Sequence, residues 1–168
     1  MTISAVVLAA GASTRFGSPK QAVLLEPVLE RVRDSAAIDD IVVVLGAHEV
    51  ETSVRSVLCS EWELGPGASL QCGLAALGEE VEAAVVVLGD GPRLDPRAVD
   101  RVVAAWRESG AERVAATYGD VRLHPLLLAR TVWSTVPDEG LRELPAQLVP
   151  CDDLEPPGDV DFADELTR

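Results

Sequence analysis

The chain has 168 residues, 48% of them hydrophobic, which is one domain's worth with enough apolar content for a sizeable core. Fourteen basic residues stand against 28 acidic ones, a formal net charge of −14. Such a surface repels nucleic acid and anionic membrane, so neither is an expected partner.

In chain order, residues 3–9 are a short apolar run that reads as a buried first strand. A glycine-bearing loop follows. Residues 26–32 open a helix with Pro27 in its first turn. Residues 41–45 are a second buried strand, residues 48–58 look helical, and residues 62–67 are a turn-rich connection. A helix is expected over 68–77, and residues 81–88, the most apolar run, form a central strand. Asp95-Pro96 starts a helix that runs to Ser109, and residues 113–118 are a strand. Residues 121–128 read as strand passing into helix, broken at His124-Pro125. Residues 139–144 are expected to be a short helix, 147–151 a late strand and 154–158 a loop, with Asp161 capping a closing helix. Strands alternating with helices argue for one α/β domain over 1–168 with a mainly parallel sheet.

No apolar run reaches membrane-spanning length, and the first residues lack the basic-then-apolar layout of a signal peptide. Cys59, Cys72 and Cys151 form no C-x-x-C pair, which points to reduced thiols buried as small hydrophobes. A cytoplasmic protein is expected.

The loop at Leu8-Ala9-Ala10-Gly11-Ala12-Ser13-Thr14-Arg15-Phe16-Gly17-Ser18-Pro19-Lys20 is the most informative stretch. It offers free N–H groups, hydroxyls and two cations after a buried strand, which is what a polyphosphate needs. Lys20 is the single lysine beside thirteen arginines, which marks it as a point charge for phosphate; the alternative is a solvated surface lysine. The spacing fits neither the Walker loop nor the G-x-G-x-x-G fingerprint. A second strand end carries chemistry: Asp90 ends the central strand at Gly89-Asp90-Gly91-Pro92. It is either a turn former or a ligand for Mg²⁺, which binds through one or two carboxylates plus phosphate oxygens.

Residues 8–20 resemble the L-A-A-G-x-S-x-R-x-G-x-P-K signature of nucleotidyltransferases, most closely the MobA-like branch that includes molybdenum cofactor cytidylyltransferases. The resemblance continues in order along the chain. Gly89-Asp90-Gly91-Pro92 is similar to the G-D-x-P segment, with Gly91 where a glutamine is common. Gly65-Pro66-Gly67-Ala68-Ser69-Leu70 is similar to the stretch lining the base and ribose pocket, although Ser69 also suits the start of a helix. His124-Pro125 matches part of a G-H-P element near the acceptor, with Leu123 in place of the glycine, and packing is the competing role for the histidine. Asp138-Glu139-Gly140 is similar to the D-E-G segment, and Asp159-Val160-Asp161 to the late motif that supplies a second metal ligand.

The resemblance implies a three-layer, Rossmann-like nucleotidyltransferase fold with a mainly parallel mixed sheet. It implies nucleotide binding by Leu8, Ala9, Ala10, Gly11, Ala12, Ser13, Arg15, Lys20, Gly67 and Ser69, with Arg15, Lys20 and Asp90 catalytic. Mg²⁺ would sit on Asp90 and Asp159, with Asp161 in reserve, and His124, Asp138 and Glu139 would face the acceptor. The partners implied are a nucleoside triphosphate and a small phosphorylated acceptor such as molybdopterin. Ala10 rather than glycine before Gly11 is closer to cytidylyl than to guanylyl members, which favours CTP. Other acceptors (a sugar phosphate, a phospholactate-type acid, methylerythritol phosphate) keep the same chemistry. A non-catalytic nucleotide-binding relative is the second reading, and a dinucleotide- or flavin-binding module ranks last.

Overall fold

The apolar runs of the sequence become the strands of a single sheet, and helices cover both of its faces. In the computed structural model, which describes residues 2–11 and 21–158, the elements are strand β1 (Thr2–Ala9), helix α1 (Gln21–Arg33), β2 (Asp40–Leu45), β3 (Arg55–Leu58), α2 (Pro66–Ala75), β4 (Val81–Leu88), α3 (Pro96–Ser109), β5 (Arg113–Tyr118), β6 (Val121–Ala129) and β7 (Gln147–Pro150). Short 3₁₀ segments occupy Trp62–Leu64 and Arg130–Thr135. The strand order is β3-β2-β1-β4-β6-β5-β7, and β6 alone runs against its neighbours.

Period-two alternation sends successive residues of β1 to opposite faces. Ile3, Ala5 and Val7 meet α1 and α3 through Leu25, Val28, Leu29, Val99 and Val103. Val6 and Ala10 meet α2 through Leu70 and Leu74, with Val42, Val44, Ala84 and Val86 beside them. The result is the three-layer, mainly parallel mixed sheet that the motifs imply. Both faces are dry, which is why β1, β2 and β4 read as continuous apolar runs. Helix α3 starts and stops as expected: Asp95 caps it by accepting from the Arg97 N–H at 2.9 Å, and Gly110 closes it at φ 67°.

Four expectations differ. Helix α1 begins at Gln21, so Pro27 lies inside it rather than in the first turn. Complete burial of Val28, Leu29 and Val32 outweighs a proline penalty of about 3 kcal/mol. Residues 48–58 hold no helix. Thr52 Oγ1 both donates to the Val54 carbonyl and accepts its N–H, a local turn that competes with helical bonding, and the chain then enters edge strand β3. Residues 121–128 do not pass into helix, because β6 runs unbroken from Val121 to Ala129. Its pairing with β5 jumps from Leu123 to Leu126, so His124 and Pro125 fall in a bulge, where a proline costs no ladder bond. Residues 139–144 form turns, not a helix.

The cysteines give the fifth correction. Cys59 and Cys72 are joined in a disulfide with Cα atoms 5.8 Å apart, because the end of β3 packs against α2. Sequence spacing could not show that contact, and the reduced-thiol expectation holds only for Cys151, which is buried and free. No helix among the described residues is long and apolar enough to cross a membrane.

The cross-link spans thirteen residues, so its removal is expected to lower stability by about 3 kcal/mol. Urea unfolding of the oxidised protein against the Cys59→Ser/Cys72→Ser double variant measures this. An unchanged midpoint would contradict a native cross-link.

Candidate functional site

The site forms where β1 and β4 end side by side. Their register aligns Leu8 with Leu88, and the Gly89 N–H donates to the Leu8 carbonyl at 2.8 Å. A Cβ at Gly89 would stand 3.0 Å from the Leu8 carbonyl oxygen and 3.1 Å from the Ala9 methyl, so glycine lets the turn carrying Asp90 start this close to β1 without displacing a neighbour. Leu8 and Asp90 are half-buried, Ala9 and Ala10 buried, and Gly11 exposed at the head of the loop. The Ala10 carbonyl accepts the Ala47 N–H at 3.1 Å, which brings the end of β2 to the same point. Ala12, Ser13, Arg15 and Lys20 lie outside the described residues.

Strand β6 delivers His124 to the other side of the Asp90 turn. Its Nδ1 accepts the Leu88 N–H at 3.4 Å, so the proton of the neutral ring sits on Nε2. That Nε2 is buried without a hydrogen-bond partner among the described residues. Burial pushes the pKa of His124 down to about 4, against a weaker upward pull from the Asp90 charge. A Cβ on Gly91 would lie 2.9 Å from Nε2 and 3.0 Å from the Gly158 carbonyl oxygen. The histidine therefore occupies the space a side chain at position 91 would need.

The described chain ends at the same place. The Arg93 N–H donates to the Pro157 carbonyl at 3.0 Å, and Gly158, at φ +78°, is pressed against the Arg93 guanidinium. Asp159, the next residue, and Asp161 lie outside the described residues.

Helix α2 supplies a third side. Gly73 packs on Val6 and Val44, which sets the first turn of the helix, roughly 9 Å back along its axis, level with the ends of β1 and β2. Gly67 and Ser69 are buried in that turn. The Gly67 and Ala68 N–H groups donate to the Asp138 carbonyl at 2.9 and 3.3 Å, and a Cβ on Gly67 would collide with the Pro137 carbonyl. Asp138 thus acts here through its backbone as the cap of α2. These N–H groups are engaged and do not cradle phosphate. Arg122 fastens the same loop by donating to the carbonyls of Leu141 at 3.2 Å and Leu144 at 2.6 Å.

Sequence reasoning missed Arg122, and it read Trp62 only as the start of a turn. Trp62 stands over Gly46: a Cβ there would lie 2.6 Å from the indole Cγ. The available signal was a glycine directly after an apolar strand, at Gly46 as at Gly89. Among the described residues no three His, Cys, Asp or Glu side chains gather to hold a metal. Asp90 can offer one carboxylate, which suits Mg²⁺ or Mn²⁺ when phosphate and a second acid complete the shell. A depression of about 360 Å³ lined by Arg33, Asp40 and Arg55 lies at the opposite end of the strands, and Arg55 is already paired with Asp40 at 2.8 Å.

A mainly parallel α/β sheet with its candidate site beyond the carboxyl ends of two adjacent strands has that site where open α/β proteins bind their ligands. The model of the MobA-like NTP transferase domain matches residues 5–149, and the chain belongs to that family. It is 31% identical over 139 residues to the bifunctional protein GlmU of Sorangium cellulosum, a match covering 71% of this chain and 29% of GlmU. It is 28% identical over 130 residues to a probable molybdenum cofactor guanylyltransferase of Thermococcus sibiricus, covering 72% of this chain and 65% of that one. The chain therefore spans less than two thirds of either relative. Among solved structures, Rv0371c of Mycobacterium tuberculosis H37Rv matches 100% of this chain and 97% of its own, with TM-score 0.81 and 27% identity. Its manganese complex matches with TM-score 0.78 and 25% identity, over the same shares of the two chains.

The buried neutral His124 has a stability signature. Its folded pKa of about 4 lies below the ordinary 6.5, so the unfolded chain binds more protons between those values and stability falls as pH falls through that window. Asp153, held down to about 2 by its hydrogen bond to Arg101, loses its contribution only at lower pH. Urea unfolding with EDTA present is expected to show up to about 3 kcal/mol lost between pH 7 and pH 4. His124→Asn removes that dependence; identical pH profiles for the two proteins would contradict the assignment.

Proposed function

We propose that the chain is a divalent-metal-dependent nucleotidyltransferase. It moves a nucleoside monophosphate, CMP in preference, from the triphosphate to a phosphorylated acceptor such as molybdopterin and releases pyrophosphate. One observation carries the reading: the Gly89–Leu8 hydrogen bond sets the Asp90 turn directly beside Ala9, Ala10 and Gly11, where the Arg15 and Lys20 loop begins. Membership of the MobA-like family supports it, as does the manganese complex of the similar mycobacterial protein.

In this reading residues 8–13 carry the triphosphate on backbone N–H groups, and Arg15 and Lys20 neutralise its charge. Gly67 and Ser69 border the nucleoside, and His124, Asp138 and Glu139 lie toward the acceptor. Asp90 and Asp159 are the carboxylates that would hold the cation. A divalent ion bound there supplies charge neutralisation at the α-phosphate. An acceptor phosphate oxygen attacks the α-phosphorus in line; the new P–O bond forms as the bond to the pyrophosphate oxygen breaks. The attacking phosphate is already anionic, so the protein contributes position and charge rather than a nucleophile.

Ala10 favours CTP, whereas the guanylyltransferase relative makes GTP the competitor to test. A second reading, nucleotide binding without turnover, draws on Gly91: with His124 against it, no side chain can reach the substrate from this position.

Pyrophosphate release from CTP and GTP, with Mg²⁺ or Mn²⁺ and a panel of phosphorylated acceptors, tests both. The expected result is turnover that requires metal and favours CTP, with Asp90→Asn inactive and Lys20→Ala slower by about 100- to 1000-fold. Tight triphosphate binding with no turnover on any acceptor would establish the second reading instead.

A further inference from the structure

We propose that Trp62 is the nucleobase wall of this site, taking the base of the bound triphosphate against its indole face. The inference rests on the transferase reading and extends it to a residue not otherwise given a part. Trp62 opens the short turn that follows β3 and stands directly on Gly46, the first residue beyond β2. A Cβ at Gly46 would lie 2.6 Å from the indole Cγ and 2.8 Å from the Ala10 carbonyl oxygen. The root of the ring is therefore within one residue's breadth of the point where the phosphate loop starts.

The ring is only half-buried, with its inner part on the core beneath α2. The segment is pinned at both ends, at Cys59 by the disulfide to α2 and at Gly65–Gly67 by the close approach of Pro137 and Asp138. The indole is thus held in place before any ligand arrives. Glu61 and Glu63, both exposed, make its surroundings acidic. Phosphate is repelled there and a neutral base is not, so the triphosphate is oriented with its charges away from Trp62, toward the end of β1 at Ala10 and Gly11. Stacking tolerates any base, so the choice among bases falls to polar groups elsewhere.

The test is equilibrium binding of CTP, GTP and inorganic tripolyphosphate, each with Mn²⁺, to the full chain and to Trp62→Ala and Trp62→Phe. Loss of the ring is expected to weaken both nucleotides by ~10- to ~100-fold and to leave tripolyphosphate unchanged, with phenylalanine restoring most of the affinity. Nucleotide should also quench the fluorescence of Trp106→Phe/Trp133→Phe, in which Trp62 is the remaining tryptophan. Equal weakening of tripolyphosphate, or unchanged nucleotide affinity in Trp62→Ala, overturns the role of Trp62 while the transferase reading stands. A wild-type chain that binds none of the three ligands overturns both.

Discussion

The hydrogen bond from the Gly89 N–H to the Leu8 carbonyl holds together the two strand ends that carry the candidate site. It extends the β1–β4 ladder one step beyond the last paired residues, Leu8 and Leu88. Beyond it the chain turns away on both strands, into Gly11 on one side and Asp90 on the other. Each strand is sealed in a dry core, so neither end can slide without exposing buried valines. The rigidity of the sheet thus passes directly into the position of the Asp90 turn beside the end of β1.

Around that bond the departures from the family motif make physical sense together. Gly91 stands where a glutamine is common, and the structure fills the space with His124, whose ring lies against the Gly91 backbone and under Gly158. Three elements distant in sequence (the β4 turn, β6 and the segment ending at Gly158) are thereby packed into one unit. On the other side, the turn at residues 138–140 caps α2 through its backbone, and Arg122 on β6 fastens it. The acidic surface is compatible with an anionic ligand, because charges beyond about 8 Å are largely screened at physiological salt.

How much was legible in the sequence follows from how local each signal is. Strands β1, β2, β4 and β5 were plain as apolar runs, and α3 announced itself by Asp95-Pro96 at one end and Gly110 at the other. Residues 48–58 misled because an edge strand needs bonds on one side only and carries a weak alternation. Val121–Ala129 misled because the bulge that accommodates Pro125 belongs to the pairing with β5, not to the chain itself. The Cys59–Cys72 bond and the contact of Trp62 with Gly46 are meetings of distant segments, which no spacing announces. The glycines that permit close approach, Gly46 and Gly89, were visible, but their neighbours were not. Of the candidate site, Ala9, Ala10, Asp90 and His124 are gathered at one end of the sheet, while Arg15, Lys20 and Asp159 lie outside the described residues.

The central claim is that one metal-bound triphosphate lies between the carboxyl ends of β1 and β4. Anomalous diffraction from a crystal of the chain with CTP and Mn²⁺ measures this most directly. The account predicts a manganese peak on the Asp90 carboxylate, bridging to phosphate, with the Lys20 ammonium on the same triphosphate. A manganese peak and triphosphate bound elsewhere, with Asp90 and Lys20 both facing solvent, would contradict it.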